Sequence, residues 1–384
     1  MSGRRVGALL VAALLIIALG LWNASRKVQI ADSGAGTPVL KALKAQLNEV
    51  TEVRIARGDG SKATLRKQPT GWVVGEREYP ADTSRVRKLL IDLSSLDTIE
   101  AKTNDPAKYS QLGVEDVNTP TAGGTRIEAV TPEKVNGLIV GKTSGAKSGY
   151  VRATDSKQSV LATPIIQAEA DPKRWLDTAL VDIPESRVKE VEMFPPTGPS
   201  FKATREKKEQ GDFTVPSLPK GRELQTPSAV NPLATNLALL TLTDVRKAAA
   251  GGASASATGS GTAAATPAAA ARPAATPSSA QTPRVIFRTF DGLEIQLSGQ
   301  AEGELRFISL APASSAKETA DEATKLDARV KGWQFEIPNY KYDALFRPLE
   351  QFLLTPEPKA DAKAKAPAKI GGKQPPALPQ SPTN

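Results

Sequence analysis

The sequence of 384 residues contains neither cysteine nor histidine. Disulfides, thiolate nucleophiles, Ser-His-Asp triads and imidazole bases are therefore excluded, together with most zinc and iron sites. Aromatic residues are sparse at 5%, whereas 24% charged and 40% hydrophobic residues are ordinary for a folded protein. Carboxylates and Ser/Lys pairs are the catalytic groups that remain. The composition argues against an enzyme, and it predicts no cofactor and no metal site.

The net charge of +9 is concentrated at the two ends of the chain. Residues 1–49 hold six basic and two acidic residues, and residues 355–384 hold five basic and two acidic ones. The central residues 50–354 are therefore close to neutral. Because a nucleic-acid-binding surface needs a cluster of cations facing the phosphates, we expect no nucleic-acid partner.

An uncharged apolar run follows Arg4 and Arg5 at the N-terminus. Residues 6–22 are almost wholly apolar, and as a helix they would be about 25 Å long, which is at the short end for a membrane span. Trp22 lies where an interfacial aromatic residue is expected. We predict that residues 1–27 form a single-pass anchor in the bacterial inner membrane. The basic pair before the run favours a cytoplasmic N-terminus, so the bulk of the chain should be periplasmic or otherwise extracytoplasmic.

A cleaved signal peptide is the alternative for the same segment, with residues 18–20 as a weak cleavage site. The apolar run is longer than the usual core of a signal peptide, which favours the uncleaved anchor. A lipoprotein is excluded because there is no cysteine to acylate.

Three further segments differ in composition from the rest. Residues 28–49 include leucines at helical spacing and are predicted to form a juxtamembrane amphipathic helix. Residues 248–282 consist almost entirely of Ala, Gly, Ser, Thr and Pro, and residues 355–384 are rich in Pro, Ala and Lys. Neither segment has enough apolar side chains to offset the entropy of folding, so both are predicted to be disordered.

The remaining sequence contains a repeated pattern. Alternating apolar residues at 50–55 recur at 188–193, each followed by further strand signals, an apolar helix and a β-meander. The apolar helices are predicted at 86–96, capped by Asp82 or Thr83, and at 233–240. Each copy then ends in a helix led by proline, at 164–180 and at 338–354. We therefore predict two tandem α+β repeats, at 50–184 and 185–354, each with antiparallel sheets and two helices.

Two kinds of apparent motif do not indicate chemistry. Gly141-Lys142-Thr143 resembles the end of a phosphate loop, but the required earlier glycine is Asn136 and no helix pattern follows, so a hairpin turn is predicted instead. Paired carboxylates occur without an apolar pocket that would separate their pKa values. We assign them to the solvated surface, and no catalytic, cofactor or metal residue is predicted. The pairs are Glu76/Glu78, Glu115/Asp116, Glu169/Asp171 and Asp321/Glu322.

Several segments together resemble a known family. They are the apolar anchor, the strand at Trp72, the helix opening at 79–82, the loop at 109–114, and the hairpin of 138–141 with 149–152. The chain is similar to an uncharacterised bacterial family of single-pass proteins encoded beside gliding-motility-type ABC transporter genes. The resemblance implies an extracytoplasmic, membrane-tethered module that is accessory to a transport or envelope complex. An ABC transporter permease or another envelope protein is then the expected partner.

Two hypotheses of function follow. The first is a binding or scaffold module without enzymatic activity, held at the outer face of the inner membrane. The second is an extracytoplasmic hydrolase that uses a carboxylate pair. A cleft between the repeats with two nearby carboxyl groups would favour the hydrolase, and an apolar patch or a free sheet edge would favour the binding module.

Overall fold

The structure, a computed structural model, describes residues 35–248 and 282–355. These residues form two large antiparallel sheets and a small two-stranded sheet. The strands in chain order are β1 (Glu52–Arg57), β2 (Lys62–Gln68), β3 (Gly71–Val74), β4 (Tyr79–Pro80), β5 (Asp97–Ala101), β6 (Thr125–Val130), β7 (Val135–Ser144), β8 (Ser148–Ala153), β9 (Ser159–Thr163), β10 (Ala179–Val181), β11 (Val188–Phe194), β12 (Phe201–Thr204), β13 (Leu240–Thr241), β14 (Asp244–Lys247), β15 (Arg284–Thr289), β16 (Leu293–Glu302), β17 (Leu305–Ser314) and β18 (Trp333–Glu336).

The first sheet has the order β4-β3-β2-β1-β6-β7-β8-β9-β5, and the second has the order β12-β11-β15-β16-β17-β18-β14. The small sheet pairs β10 with β13. Few helices accompany the strands: α1 (Lys41–Ala45), α2 (Thr83–Ser94), α3 (Tyr109–Leu112), α4 (Ala320–Val330) and α5 (Asn339–Leu345). The α+β class with antiparallel sheets is therefore confirmed.

Helix α2 forms where the sequence predicts a helix. The Asp82 carboxylate accepts hydrogen bonds from the backbone N–H groups of Ser84 and Arg85, at 2.9 and 3.1 Å, and so caps the first turn. Its buried residues recur at the spacing of one helix face, which packs on the core. They are Val86, Leu89, Leu90 and Leu93.

Other helix predictions in the first and second halves are wrong. Residues 164–180 form no α-helix: they contain a 3₁₀ turn at Pro172–Trp175 and the start of β10. The helix predicted at 233–240 is a 3₁₀ helix at Asn231–Leu237, followed by β13. In both places a proline followed by closely spaced apolar residues fits a tight turn as well as an α-helix. The pairing of β10 with β13 favours the turn in each case.

Two further differences concern short segments. The strand signals of the second copy include residues 212–215, but these residues are not a strand, since Thr214 alone forms an isolated bridge, to Thr204. The segment predicted as an amphipathic helix at 28–49 contains only α1 and a 3₁₀ turn at Leu47–Glu49 within the described residues. Leu40, Leu43 and Val50 are buried there, so this segment belongs to the folded core.

The buried apolar residues of both sheets form one continuous cluster, from Leu40 to Leu353. A small separate cluster of Tyr109, Val114 and Ile139 holds α3 against the other face of the first sheet. The boundary predicted between residues 184 and 185 falls between β10 and β11. One core therefore extends through both halves, and the two large sheets share it.

Within residues 35–248 and 282–355, no helix has the length and apolar character needed to cross a membrane. The predicted anchor at 1–27 lies outside these residues. The segments predicted to be disordered, 248–282 and 355–384, also lie outside them except for their terminal residues.

Gly141 and Lys142 are neither a phosphate loop nor the predicted hairpin turn, because both lie within β7. The turn instead falls at residues 145–147. A Cβ atom on Gly141 would lie 2.3 Å from the carbonyl oxygen of Leu112 and 2.8 Å from Cγ1 of Val114. Lys142 Nζ donates a hydrogen bond to the carbonyl of Gln111 at 2.9 Å. The glycine is therefore required so that α3 can lie directly on the strand.

Gly141→Ala should lower the free energy of unfolding by about 1–3 kcal/mol, because the methyl group meets backbone atoms that cannot move without displacing α3. Urea denaturation measures this change. Gly211→Ala is the matched control, because a Cβ there has no atom within 4 Å and its stability should be unchanged or slightly increased. Equal stability of the two variants would show that α3 is not held against β7.

Candidate functional site

A cleft of about 520 Å³ lies where the two halves meet. On one side lie residues 75–78, which form the turn between β3 and β4, together with Lys173. On the other side lie the edge strand β14 and the side chains of Leu305, Phe307 and Glu336. This volume is within the usual range of ligand-binding pockets, about 300–1,000 Å³. We define this feature as the junction cleft.

Asp244 is the centre of an ionic network across the junction. Arg77 binds its carboxylate in a bidentate manner, with Nε 2.6 Å from Oδ1 and Nη2 2.9 Å from Oδ2. Lys173 Nζ lies 3.1 Å from Oδ2, and the backbone N–H of Val245 donates to Oδ1 at 2.8 Å. Burial alone would raise the pKa of Asp244, but these donors outweigh it and hold the pKa below its ordinary value.

Glu336 lies beside Asp244, since the two are register partners on β18 and β14. Lys173 Nζ is 3.7 Å from the Glu336 carboxylate and therefore contacts both acids. Burial by itself would lower the pKa of Lys173. The two carboxylates raise it by more, so the pKa lies above its ordinary value. The ammonium group thus stays charged and screens the two acids from each other.

Two outer ion pairs extend the network along β14. Lys247 pairs with Glu78 across the cleft, and both side chains are about two-thirds exposed. Arg246 binds Glu302 at 2.5 and 2.7 Å, and its guanidinium lies 3.7 Å from the centre of the Phe307 ring. Such a stacked and bidentate arginine has little freedom to move.

An aromatic cluster lies beneath the ionic network. The ring of Tyr79 meets Trp333 edge to face at 5.3 Å and Phe335 at 5.9 Å. Burial raises the pKa of Tyr79, and its hydroxyl has no hydrogen-bond partner among the described residues. Arg329 adds a further cross-junction pair with Asp177 at 2.8 Å. Apolar burial and ion pairs therefore both hold the sheets together here.

Glu78 has an unusual backbone conformation within this site. Its φ of +54° lies in the left-handed region, which normally favours glycine or asparagine. The N–H groups of Arg77 and Glu78 both bond to the carbonyl of Val74, at 3.1 and 2.7 Å, and form a tight turn. The strained residue directs its carboxylate across the cleft to Lys247. Strain of this kind is often found where a fold must present particular groups.

The arrangement is poorly suited to acid–base catalysis. A carboxylate dyad needs one member with a raised pKa and one that stays ionised. In the junction cleft the pKa of Asp244 is lowered, and Glu78 and Glu336 are each paired with a lysine. The fourth cleft carboxylate, Glu76, accepts the backbone N–H of Thr64 at 3.0 Å. Within the described residues, no cluster of acidic side chains could hold a metal ion.

The structure brings only one of the sequence-level carboxylate pairs to this cleft, namely Glu76/Glu78. The other pairs have separate contacts with the fold. Glu115 accepts the N–H of Gly123, Asp116 pairs with the buried Arg152, Asp171 caps the turn at Lys173, and Glu322 pairs with Arg187. All of them lie at exposed or half-exposed positions, as predicted, and most of them also hold turns or ion pairs.

Sequence reasoning missed the residues that form the network. Arg77 and Asp244 are 167 positions apart, and nothing in their neighbourhoods distinguishes them from other surface charges. No sequence pattern around Lys173 or Glu336 indicated a role in the network either. The one available signal was the group of charges at 76–78 directly after a buried strand.

Leu239 is a second residue with left-handed backbone near the junction, just before β13. Its φ is +49° and it is 72% exposed, the highest exposure among the described large apolar residues. The Leu239 N–H donates a hydrogen bond to Oδ1 of Asp182 at 3.1 Å. Beside it, the N–H of Ile183 donates to the carbonyl of Leu237, also at 3.1 Å. The short connection into the β10–β13 pair imposes this conformation.

The model of a protein family described as "Domain of unknown function (DUF4340)" matches residues 72–259. No curated protein matches the chain, and no solved structure does. The matched range begins in β3 and includes Arg77, Lys173 and β14, whereas β15 to β18 follow it. The match thus covers the part of the chain that contributes most of the junction network, and the description of the family names no activity.

Asp244→Asn should lower the free energy of unfolding by about 2 kcal/mol at pH 7, because it leaves Arg77 and Lys173 without their shared charge. The folded pKa of Asp244 is depressed, so its contribution is complete above its unfolded pKa, about 3.9, and is lost as pH falls through the folded value. Urea denaturation at pH 7 and at pH 3 measures both effects.

Glu78→Gln is the control for Asp244→Asn, because it breaks an exposed pair, which should contribute far less. The difference in free energy of unfolding between Asp244→Asn and the wild type should be smaller at pH 3 than at pH 7. A gap that persists unchanged at low pH would contradict the assigned role of the Asp244 charge.

Leu239→Gly should raise the free energy of unfolding by roughly 0.5 kcal/mol, since relief of left-handed strain exceeds the added entropy of glycine in the unfolded chain. Thermal denaturation compares it with Leu305→Gly, an exposed leucine within β17, which should be destabilised. A loss of stability in Leu239→Gly would mean that its side chain packs in the folded state.

Proposed function

We propose that the protein is a membrane-tethered extracytoplasmic binding or scaffold module, accessory to an ABC-transporter-type or other cell-envelope complex. In this proposal residues 1–27 hold it in the bacterial inner membrane as a single pass, with the bulk of the chain periplasmic. The uncharged apolar run at 6–22 after Arg4 and Arg5 supports the tether. A tether concentrates the module beside membrane partners, so a weak intrinsic affinity is sufficient.

The observation that carries the binding role is the junction cleft, in which every lining carboxylate already has a cation or backbone N–H partner. Groups that are paired in this way are fixed in position. They offer a shaped and preorganised surface, which is what a binding site needs. The edge of β14 also lies in this cleft, and an open sheet edge is a common site for partner binding.

The hydrolase remains a second candidate because Asp244 and Glu336 are neighbouring acids in a cleft between the two halves. Glu336→Gln separates the two roles. In a hydrolase it would abolish the biological activity of a folded, anchored protein. In a binding module it should weaken activity only as far as it disturbs the contact with Lys173.

We also infer that the two halves are tandem repeats. The strands β2-β1-β6-β7-β8 of the first sheet have the same spatial order as β12-β11-β15-β16-β17 of the second. The next two strands correspond as well, because β9 and β18 each follow the shared meander in the chain and β5 and β14 each precede it. The sheets differ at the opposite edge, where the first continues beyond β2 into β3 and β4. If the halves are repeats, the junction cleft lies where their unlike edges meet.

Site-specific photo-crosslinking in living cells tests the proposed function. A crosslinking amino acid at Leu305, in the cleft, is compared with one at Val135, which is equally exposed but lies outside it. We expect one dominant envelope protein crosslinked from Leu305 and not from Val135. The product should persist when residues 6–22 are replaced by an unrelated anchor, and it should fall strongly when the chain is released from the membrane.

A crosslinked product that is cytoplasmic, or one that does not depend on the anchor, would contradict the proposal. A reporter active only in the periplasm, fused after residue 354, checks the orientation independently. An inactive periplasmic fusion with an active cytoplasmic one would show that the orientation is reversed.

A further inference from the structure

We infer that the junction cleft binds an extended peptide segment of a partner protein, which adds as a strand to the free edge of β14. This inference rests on the proposed function and deepens it, since it specifies the chemistry of the partner. The recognised groups are main-chain amides of the peptide together with one apolar side chain.

Alternate residues of β14 direct their backbone N–H and C=O groups toward β18, and the residues between them direct theirs toward the cleft. We call this alternation the hydrogen-bond phase of β14. Ala248 N–H donates to the carbonyl of Gly332 at 2.8 Å, so the alternate residues Arg246 and Asp244 also direct their backbone groups toward β18. Val245 and Lys247 then direct theirs away from β18.

The neighbouring ladder gives the same phase independently. Ile337 N–H donates to the carbonyl of Arg306 at 2.9 Å, which places the backbone groups of Phe335 toward β17. Those of Glu336 then face β14, and the Glu336 carbonyl accepts a bond from Thr243 N–H at 2.8 Å. Both ladders therefore leave the same edge open.

Three outward groups of β14 lack a backbone partner among the described residues: the carbonyl of Val245 and the N–H and carbonyl of Lys247. The fourth, Val245 N–H, is bonded to the Asp244 carboxylate. An antiparallel strand would satisfy all three groups. One of its residues would exchange two hydrogen bonds with Lys247, and another would donate one hydrogen bond to the carbonyl of Val245. The pattern of donors and acceptors is that of a strand edge, which only another backbone matches in full.

The side chains around the edge restrict the ligand further. The charges beside β14 are neutralised in pairs, by Arg77 with Asp244 and by Lys247 with Glu78. A strongly charged small ligand would have to break these pairs, whereas an uncharged backbone does not. Leu305 lines the same cleft and is 46% exposed, so it offers contact to one apolar side chain of the peptide.

Proline substitution at the edge gives a sharp test. Lys247→Pro removes the outward N–H without removing a bond to β18, and proline is tolerated on an edge in this position. Lys247→Ala is the matched control, because it loses the same ion pair with Glu78 but keeps the N–H. Arg246→Pro removes an inward bond and should lower the melting temperature, which verifies the phase.

The probe is a library of random nonapeptides displayed on phage and selected against the full-length protein in detergent micelles. For a selected peptide, we expect Lys247→Ala to change the dissociation constant little and Lys247→Pro to raise it by about tenfold, the effect of one lost hydrogen bond. N-methylation along the peptide should weaken binding at every second residue, because alternate amides of a strand face the edge.

The N-methylation series uses the wild-type protein and so does not depend on whether Lys247→Pro folds. Equal binding to Lys247→Ala and Lys247→Pro, or N-methylation effects without a period of two, would overturn the inference. So would a library that yields no peptide whose binding depends on Lys247→Pro.

The in-cell crosslink from Leu305 separates this inference from the proposed function. If the envelope partner is still crosslinked to Lys247→Pro as strongly as to Lys247→Ala, the binding role survives and strand addition does not. A crosslink from Leu305 to the protein's own chain, or to a second copy of it, would also overturn the assignment to a partner's segment.

Discussion

The bidentate bond between Arg77 and Asp244 joins two sheets that otherwise have separate strands and separate turns. Its two residues come from the β3–β4 turn and the start of β14, and Lys173 adds a third charge from the connection between the halves. A half-buried carboxylate with an arginine and a lysine is costly to expose on either side of the junction. The relative position of the halves, and with it the shape of the cleft, therefore depends on this contact together with the shared core and the pairing of β10 with β13.

The aromatic residues below it explain why the bond can be so specific. Tyr79, Trp333 and Phe335 exclude water from one side of the junction, and this strengthens the electrostatic interactions above them. Apolar contact alone would let the sheets slide, because dispersion forces have little directionality. The guanidinium–carboxylate geometry fixes one arrangement. The unsatisfied hydroxyl of Tyr79 is a local cost of burying a tyrosine in this position.

The sequence was informative where structure is determined locally. Alternation of apolar residues located β1 and β11, and the capping aspartate located the start of α2. The Asp-Gly pairs at residues 59–60 and 291–292, a sequence signal typical of hairpin turns, do form turns, each with its glycine at φ of +88°. These features depend on neighbours within a few residues, and the local pattern therefore contains enough information to place them.

The junction could not be predicted in that way, because its members come from distant parts of the chain. The same limit explains the misassigned helices: residues 164–180 are shaped by pairing of β10 with β13, about 60 positions later, rather than by their own periodicity. Gly141 shows the reverse error, since a glycine that looked like turn chemistry is needed for close packing inside a strand. The carboxylates were recognised as candidates, but their partners decide whether they can act as acids or bases.

The left-handed residues Glu78 and Leu239 connect the fold with the proposed role. Glycine would relieve the strain at each position without removing any backbone hydrogen bond of the turn. Glu78 instead provides a carboxylate that reaches the edge of β14, and Leu239 exposes an apolar side chain at the start of the β10–β13 pair. Stability alone does not explain either side chain. Both become intelligible if the surface around the junction meets another protein, because a scaffold must hold particular groups outward even when its backbone is strained by doing so.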